Sequence, residues 1–590
     1  MARGSIADRT RVAAFAARRA LATGMGRLNA HPMLRWRFTP AIADRLLIAP
    51  QDLRTADPTR ASEIYSGRFA FAGKIVICDG RSPFEIEPPS QEWSDQLLGF
   101  GWLRHLRAAD SSITRANARA LVGEWISLQG QFDTLEAWRP DLVARRIISW
   151  LSQAPLVLHD ADMKFYRRFL RNLTRQVRYL QRSVKATRDG VPRLQAVIAL
   201  TYAALCMQAQ ARMLKSVTRK LSDELTRQVL PDGGHASRNP GALVELLLDL
   251  LPLRQAFAAR NVAPPAALNN AIDRMMPMLR FFRHGDGNFA LFNGMGPTRR
   301  ELVSTVLAYD DARGVPVANA PHSGYQRVQA ADTLLIVDAG VPPAMPMSAE
   351  AHAGCLAFEL SARTHRIVVN CGLPATSRDT WRHVARATAA HSTVTFNDTS
   401  SCRFLTSESL KSLLGAPILS GPTNVQVSRQ ERDKERDGGM TLRLAHNGYV
   451  DRFGVVHHRS LRLSADGKRL DGEDIFTGPT GEQLILRRGD AFAVRFHLHP
   501  TLKANRHSDG HGVMLVLPNK EVWTFDAYEE RVELEESVYL AGPDGPRRAV
   551  QIVIHGHARE VPRVHWTFAH QDAQEPARSR AQREEPELPL

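Results

Sequence analysis

Residues 232–254, DGGHASRNPGALVELLLDLLPLR, set the expectations for the rest of the chain. The second half of this segment carries leucines at helical spacing, which predicts a helix with one apolar face: Leu243, Leu246, Leu247, Leu250 and Leu251. Asn239 is a good N-cap for that helix, and Pro240 suits its first position. The segment therefore predicts a well-marked helix that begins near Asn239.

The first half of the segment places three polar side chains just outside the helix start. These are His235, Arg238 and Asn239, and two glycines precede them. A helix N-terminus attracts anions, and an arginine fork, an amide and an imidazole beside it form a candidate cradle for a carboxylate. An ordinary cap after a Gly-rich turn explains Asn239 and Pro240 equally well. Both interpretations stay open at this point.

The composition indicates a globular protein that binds an acidic partner. The 590 residues are 44% hydrophobic and 23% charged, which is typical of a folded chain of two or three domains. The net charge of +16 favours nucleic acid, anionic lipid or an acidic polysaccharide as partner. No nucleic-acid signature occurs, and arginine is spread along the chain, so we expect a basic groove. The five cysteines show no paired spacing and are expected to be free thiols.

The sequence contains no clear export or membrane signal. The first 28 residues are basic and amphipathic, but Arg18 and Arg19 interrupt their apolar run, so a signal-peptide core is missing. The uncharged run 194–211 contains Thr201 and Tyr202 and predicts a buried helix. By these patterns the chain has no transmembrane segment and is expected in the cytoplasm.

The periodicity changes once along the chain. From Ser90 it is helical, which indicates helix pairs in a bundle, solenoid or toroid, and after about Gly314 it alternates as in strands that follow one another without helices. This order predicts an α+β protein with an antiparallel sandwich. The predicted parts are an N-terminal extension with short strands and helices (1–90), a helical domain (91–315), a β-sandwich domain (316–570) and a disordered tail (571–590).

Four motifs in the strand region carry a family resemblance. They are HSGYQRV (322–328), AHAGCLAFELS (351–361), RIVVNCG (366–372) and ARATAAHSTVTF (385–396). Together with DGGHASRNP they resemble the heparinase II/III family of polysaccharide lyases. The resemblance implies an incomplete (α/α) toroid followed by an antiparallel β-sandwich. It also implies a bacterial lyase of the periplasm or cell envelope that cleaves acidic, uronate-containing polysaccharides, such as a glycosaminoglycan, by β-elimination.

The resemblance also implies roles for particular residues. Asn239, with His235 or Arg238 beside it, corresponds to the group that neutralises the uronate carboxylate. Such neutralisation is needed because a C5 proton is removable only when fixed donors stabilise the developing enolate. A base must then take the proton. His352 matches the histidine of the family's first strand motif and is one candidate for this base.

The base that the family most often uses is a tyrosine, and here the pattern departs. The segment 284–296, HGDGNFALFNGMG, contains no tyrosine. Tyr325, at the start of the first sandwich strand, is the nearest replacement that faces the expected domain junction. We therefore expect Tyr325 or His352 to act as base.

A structural divalent metal, zinc or calcium, is implied for some family members. The matching set here is His352, Asn370 and His391. Asn370 stands where many members have aspartate, and Gly354 replaces another aspartate. Loss of anionic ligands weakens such a site. We therefore expect no required cofactor and a hydrogen-bonded cluster in place of the metal.

Three residues before His391 are candidates for substrate binding. These residues either bind carboxylates or sulfates of the sugar or simply solvate a loop; they are Arg382, His383 and Arg386.

Two further functions of the whole protein also stay open. One is a toroid glycoside hydrolase, which needs two carboxyl groups that flank the scissile bond. The other is a non-catalytic glycan-binding or envelope-assembly protein on the same fold.

Overall fold

The computed structural model describes residues 6–30, 45–128, 134–309, 314–375, 379–431, 439–484 and 490–572. The predicted disordered tail, 571–590, lies outside these ranges except for its first two residues.

Helices dominate the first half of the chain. Ser90 caps the third helix as predicted, since its Oγ accepts a hydrogen bond of 3.3 Å from the N–H of Trp93. The helices up to the domain junction are α1 (Ile6–Ala30), α2 (Thr59–Tyr65), α3 (Gln91–Leu98), α4 (Leu103–Ala109), α5 (Ser112–Leu128), α6 (Thr134–Ala137), α7 (Pro140–Ser152), α8 (Ala154–Leu158), α9 (Met163–Ser183), α10 (Val191–Cys206), α11 (Leu214–Gln228), α12 (Gly241–Ala259), α13 (Ala266–Phe281) and α14 (Arg300–Leu307).

Helix α10 lies at the centre of this helical layer. It contacts α7, α9, α11 and α12, and its residues from Ala196 to Cys206 are buried. The uncharged run 194–211 is therefore a buried helix, as predicted, up to Cys206, whereas its last residues lie in a partly exposed 3-10 helix, Gln208–Met213. Within the described ranges, every helix is too short or too polar to cross a bilayer.

All five cysteines are free and buried, which the sequence also predicted.

Strands dominate the second half, and one small hairpin, made of the first two strands, lies in the N-terminal region. In chain order they are β1 (Arg68–Phe71), β2 (Lys74–Ile77), β3 (Asn319–Ala320), β4 (Tyr325–Ala330), β5 (Thr333–Asp338), β6 (Phe358–Ala362), β7 (His365–Val369), β8 (Val394–Phe396), β9 (Arg403–Phe404), β10 (Ile418–Ser420), β11 (Val425–Glu431), β12 (Met440–Tyr449), β13 (Val455–Leu463), β14 (Arg469–Thr477), β15 (Ala491–Leu498), β16 (Lys503–Arg506), β17 (Gly512–Val516), β18 (Val522–Asp526), β19 (Val532–Tyr539), β20 (Arg547–His557) and β21 (Arg563–His570). Three short helices interrupt them: α15 (Asp379–Ala385), α16 (Glu408–Leu414) and α17 (Val450–Phe453).

Two large antiparallel sheets form the sandwich. One has the order β11-β12-β13-β14-β21-β18-β17-β16, and the other has the order β19-β20-β15-β7-β6-β5-β4-β3 with β8 beside β15. Their inner faces meet in one apolar core, where the Phe358 ring stacks on Trp566 at 5.6 Å. Strand β13 alternates buried and half-buried positions along its length. The predicted order, helices followed by an antiparallel sandwich, is confirmed.

Helix α1 joins the two halves of the molecule. Arg403, on the sandwich side, donates to the Asp8 carboxylate at 2.6 Å. Eleven residues further along the helix, Arg19 donates to the Ala186 carbonyl, beyond the end of α9, at 2.6 Å. The predicted N-terminal extension therefore bridges the helical domain and the sandwich.

Arg238 forms a second and buried junction between the domains. Its Nε donates to the Ser323 carbonyl at 2.7 Å, and its two terminal nitrogens donate to further sandwich acceptors: the carbonyls of Gly324, Gly340 and Val341, and the carboxylate of Asp338. All five guanidinium N–H groups are thus used. Arg238 has a φ of +61°, an uncommon backbone conformation for a non-glycine residue.

The acceptors converge on Arg238 because two glycines touch. A Cβ added to Gly324 would lie 2.4 Å from the Gly340 Cα, so neither position has room for a side chain.

A third junction between the two domains is centred on the buried carboxylate of Glu359. Glu359 of β6 accepts from His284 Nε2 at 3.1 Å and from the Leu291 N–H at 3.0 Å, and it also pairs with Arg366. Burial alone would raise the pKa of Glu359, but Arg366 and His284 lower it to about 2.

The Arg238 junction predicts a large loss of stability on a charge-conserving change. In Arg238→Lys the ammonium has three donors and cannot reach the same acceptors, so buried carbonyls and Asp338 lose partners. We expect the free energy of unfolding, measured by urea titration, to fall by about 3 kcal/mol or more. Arg219→Lys, at an exposed position of α11, is the control and should change it by less than about 0.5 kcal/mol. Equal effects of the two changes would contradict the structural role of Arg238.

Candidate functional site

A cleft of about 1630 Å³ lies between the helical domain and the sandwich. Helices α9, α10 and α12 contribute one wall, through residues 182–195 and 237–245. The sandwich side contributes the opposite wall, through residues 346–351, 382–386 and 408–416. Helix α1 closes the space between them with residues 15–26.

Positive charge predominates in the cleft. Among the described lining residues the basic ones are Arg18, Arg19, Arg182, Lys185, Arg188, Arg193, Arg382, Arg386 and Lys411, and the acidic ones are Asp189, Glu245, Glu350 and Glu408. The carboxylates are used in part by ion pairs, such as Glu245 with Arg145 at 2.8 Å and Glu408 with Lys411 at 2.6 Å. The surplus of cations suits a ligand with negative charge.

Asn239 is the polar residue at the start of α12 that faces the cleft. Its Oδ1 accepts a hydrogen bond of 2.8 Å from the Gly241 N–H, so the side chain caps the helix. Its Nδ2 points toward the Gly294 backbone and has no hydrogen-bond acceptor among the described residues. Asn239 is half-buried and lines the cleft, so this amide can donate to a ligand.

His235 lies behind the wall that carries Asn239. The ring is 2% exposed, with Nδ1 at 2.7 Å from Ser237 Oγ and Nε2 at 3.0 Å from Gln228 Oε1. Burial lowers the pKa of His235 to about 4, so the ring is neutral near pH 7. Since Arg238 has also used every N–H, neither of the two residues expected beside Asn239 offers a donor to a ligand in this conformation.

His352 and His391 form a closed pair beneath the cleft. His352 Nε2 accepts the Gly294 N–H at 3.1 Å, so its Nδ1 carries the proton and donates to His391 Nε2 at 2.9 Å. His391 Nδ1 in turn donates to the Ala387 carbonyl at 2.8 Å. Burial, with the neighbouring His391 and Arg386, holds the pKa of His352 well below its usual value, and burial lowers that of His391 to about 4. All four ring nitrogens have partners.

Tyr325 is also inside the protein. Its side chain is fully buried, and its hydroxyl donates to the Arg238 carbonyl at 2.6 Å. Asn293 donates to the same hydroxyl at 2.7 Å and to Asp338 at 2.9 Å. Burial raises the pKa of Tyr325 above its ordinary value. In this conformation Tyr325 orders the domain junction and does not reach the cleft.

The three candidate metal ligands do not leave lone pairs that converge on one point. The two imidazoles are occupied as described, and Asn370 Oδ1 accepts the Ser392 N–H at 3.0 Å, while its Nδ2 donates to Glu359 at 3.2 Å. A Cβ on Gly354 would lie 2.7 Å from the His391 ring, so the aspartate expected there has no room. Because the ring nitrogens of His352 and His391 and the Asn370 oxygen are all engaged, these residues do not fit the metal that the resemblance implies.

The three candidate substrate-binding residues divide into two groups. Arg382 and His383 are exposed on the sandwich wall of the cleft, with Arg382 at 3.8 Å from Glu350. Arg386 is 5% exposed, and it donates to the carbonyls of Ala351, Ala416 and Ser348 while it lies over the Phe404 ring. Arg386 therefore mainly stabilises the sandwich wall of the cleft by holding these three carbonyls together.

Sequence reasoning missed two groups of lining residues. One group is on α1, where Arg18 and Arg19 had been considered only as a break in a signal peptide. The other group is the turn 185–193, KATRDGVPR, between α9 and α10. The four cations in this segment, which surround Gly190 and Pro192, are the sequence signal that could have identified this rim.

Comparisons with known proteins agree with this architecture. The sequence matches the family described as heparinase II/III-like, C-terminal, over residues 312–567. A relative in Caulobacter vibrioides, FtsZ-localized protein C, is 32% identical over 518 residues, which cover 86% of this chain and 87% of that protein.

Solved structures share the fold at low identity. Heparinase III superposes with a TM-score of 0.65 at 13% identity, over 84% of this chain and 79% of that one. A mutant of the heparan sulfate lyase HepC from Pedobacter heparinus gives 0.61 at 16% identity, over 89% and 85%. The predicted toroid followed by a β-sandwich is thereby confirmed. From the family match and the relative that spans most of both chains, we conclude that this protein belongs to the heparinase II/III-like family of polysaccharide-lyase fold.

Proposed function

We propose that this protein binds an acidic, uronate-containing polysaccharide in the cleft and holds it without cleaving it. The observation that carries this proposal is the free amide of Asn239, which faces a cleft rich in cations. An amide donor beside guanidinium and ammonium groups is suited to a sugar carboxylate. Arg18, Lys185 and Arg188 have no carboxylate partner among the described residues and add the charge that attracts the polymer.

The groups that would serve as base in an elimination are withdrawn from the cleft. A base must come within hydrogen-bond reach of the C5 proton. Tyr325 is fully buried, and the His352 lone pair at Nε2 is occupied by the Gly294 N–H. Among the described lining residues, no tyrosine occurs and the only imidazole is that of His383. This supports binding over elimination.

The Caulobacter relative is in line with a binding role. It is named for its localisation to FtsZ and not for a cleavage reaction. The basic lining of the cleft is compatible with a non-catalytic role of the present chain at the cell envelope, in which it binds an anionic glycan.

Elimination is the second candidate, and one observation favours it. Asn239 retains the free amide that neutralises the uronate in this chemistry, and His383 is exposed on the facing wall. If His383 took the C5 proton, the C4–O glycosidic bond would break, the leaving oxygen would take up a proton from His383 or water, and the product would be a conjugated unsaturated uronate that absorbs in the ultraviolet. The two candidates thus differ in a simple readout.

Asn239→Asp tests the binding site. Aspartate caps a helix about as well as asparagine, so the stability should stay the same. Its negative charge replaces a donor where the carboxylate would lie, and we expect the affinity for polygalacturonate, measured by titration calorimetry at low salt, to fall about 10–100-fold. The control Asn270→Asp makes the same charge change at an exposed site on α13 and should bind like the wild type. Equal affinities of the two variants would place the polymer elsewhere.

Ultraviolet absorbance separates the two candidates. We expect polygalacturonate, heparin and chondroitin sulfate to show no rise in absorbance with the wild-type protein. A rise that is lost in both Asn239→Asp and His383→Ala would establish elimination in place of simple binding. Loss of an oxyanion-type donor typically lowers such a rate by about a hundredfold or more, so the effect would be clear.

The neutral His352–His391 pair predicts that acid destabilises the fold. Histidine in an unfolded chain has a pKa near 6.5, whereas burial lowers that of His391 to about 4. Between these values the unfolded state binds more protons, so the free energy of unfolding should fall as the pH drops from about 6.5 to 4. Urea titrations across this range should show a smaller fall for His391→Gln. His322→Gln, at an exposed histidine, should keep the wild-type pH dependence, and the same profile for His391→Gln would contradict the assignment.

A further inference from the structure

Helix α9 carries an unusual distribution of charge. Its 21 residues, MKFYRRFLRNLTRQVRYLQRS, include seven basic side chains and no acidic one. At 3.6 residues per turn, all seven fall within a single arc of about 100° around the helix axis. They are Lys164, Arg167, Arg168, Arg171, Arg175, Arg178 and Arg182. We call this arc the α9 ridge.

The opposite side of α9 is fixed in the core of the helical domain. Phe169, Leu170, Leu173, Val177 and Leu180 are all fully buried there. The helix therefore cannot rotate, and the α9 ridge faces outward. Its cationic arc is a permanent feature of the surface.

Part of the ridge is engaged by neighbouring neutral groups. Arg168 donates to Ser127 Oγ, and Arg175 lies over the Trp138 ring at 5.4 Å. In contrast, Arg167, Arg171 and Arg178 form no ion pair with any described carboxylate, and each is exposed or half-buried. Three cations on one face without a counter-charge repel one another and leave a strong positive potential.

The ridge continues into the cleft. Arg182 at its C-terminal end lines the cleft, and so do Lys185 and Arg188 in the turn that follows. Twenty-one helical residues span about 30 Å, so the track of charge extends well beyond the cleft itself. A ligand that follows it must be long and anionic.

We propose that the α9 ridge is a second binding site, outside the cleft, for the same acidic polysaccharide. It holds the stretch of polymer that leaves the cleft past Arg182. This inference rests on the proposed function and adds that the ligand is a long chain bound along the surface of the helical domain. The carboxylates of successive sugars pair with Arg178, Arg171 and Arg167 in turn.

A polymer fits this surface better than a lipid bilayer does. A helix that binds at a bilayer surface buries its own apolar face among the lipids. The apolar face of α9 is already in the protein core, so its exposed face can bind a ligand only through charged groups. The continuity of the ridge with the cleft also points to one ligand that occupies both.

The test compares polymer length in two charge-matched variants. The ridge variant is Arg167→Gln, Arg171→Gln and Arg178→Gln combined. The control removes the same charge from exposed positions of α11: Lys215→Gln, Arg219→Gln and Lys220→Gln. Binding of long polygalacturonate and of a galacturonate tetramer is measured at low and high salt.

We expect the ridge variant to bind the long polymer about tenfold more weakly at low salt, with the difference disappearing at high salt. It should bind the tetramer like the wild type, because the tetramer fits within the cleft, and the control should match the wild type for both. Asn239→Asp should weaken both ligands, which separates the cleft from the ridge.

Three outcomes would overturn the inference. An equal loss in the ridge variant and the control would mean that only net charge matters. An unchanged affinity of the ridge variant for the long polymer, with the cleft still sensitive to Asn239→Asp, would reject the ridge and keep the proposed function. Ridge-dependent binding to phosphatidylglycerol vesicles, without binding to the polymer, would assign the surface to a membrane.

Discussion

The five hydrogen bonds of Arg238 are the constraint on which the cleft depends. This single guanidinium, from the residue just before Asn239, ties the start of α12 to two segments of the sandwich, through Ser323 before β4 and through Asp338 and Gly340 at the end of β5. The adjacent Asn239 amide is therefore held in a fixed position relative to the opposite wall. A residue expected to touch the ligand instead fixes the position of the cleft wall.

The same burial explains why neither His352 nor Tyr325 offers a base to the cleft in this lyase fold. A proton acceptor needs a free lone pair and access to the substrate. His352 and Tyr325 are buried, and both form hydrogen bonds at the domain junction. Cations suffer no such loss, because a flexible arginine keeps its charge in water at the cleft rim. The positive charge of the cleft is therefore retained although these two groups do not reach it.

Local sequence patterns predicted the fold well and the site only in part. Helical structure was expected from Ser90, and α3 begins at Gln91 with Ser90 as its cap, because the spacing of apolar residues reports which face is buried. Asn239 was also found from its place before a helix. The closed roles of Arg238 and His352 were not predictable, since they depend on partners such as Gly340 and Gly294, which lie far away in the chain. Nothing in its periodicity placed α1 across the cleft.

The position of α1 couples two parts of the chain that are distant in sequence. This helix touches the sandwich through Asp8 and the helical domain through Arg19, and between these contacts it lines the cleft. Binding of any ligand that contacts this helix and docking of the helix itself are coupled, and each changes the free energy of the other by the same amount. The docking of Ile6–Ala30 would then report whether the cleft is occupied.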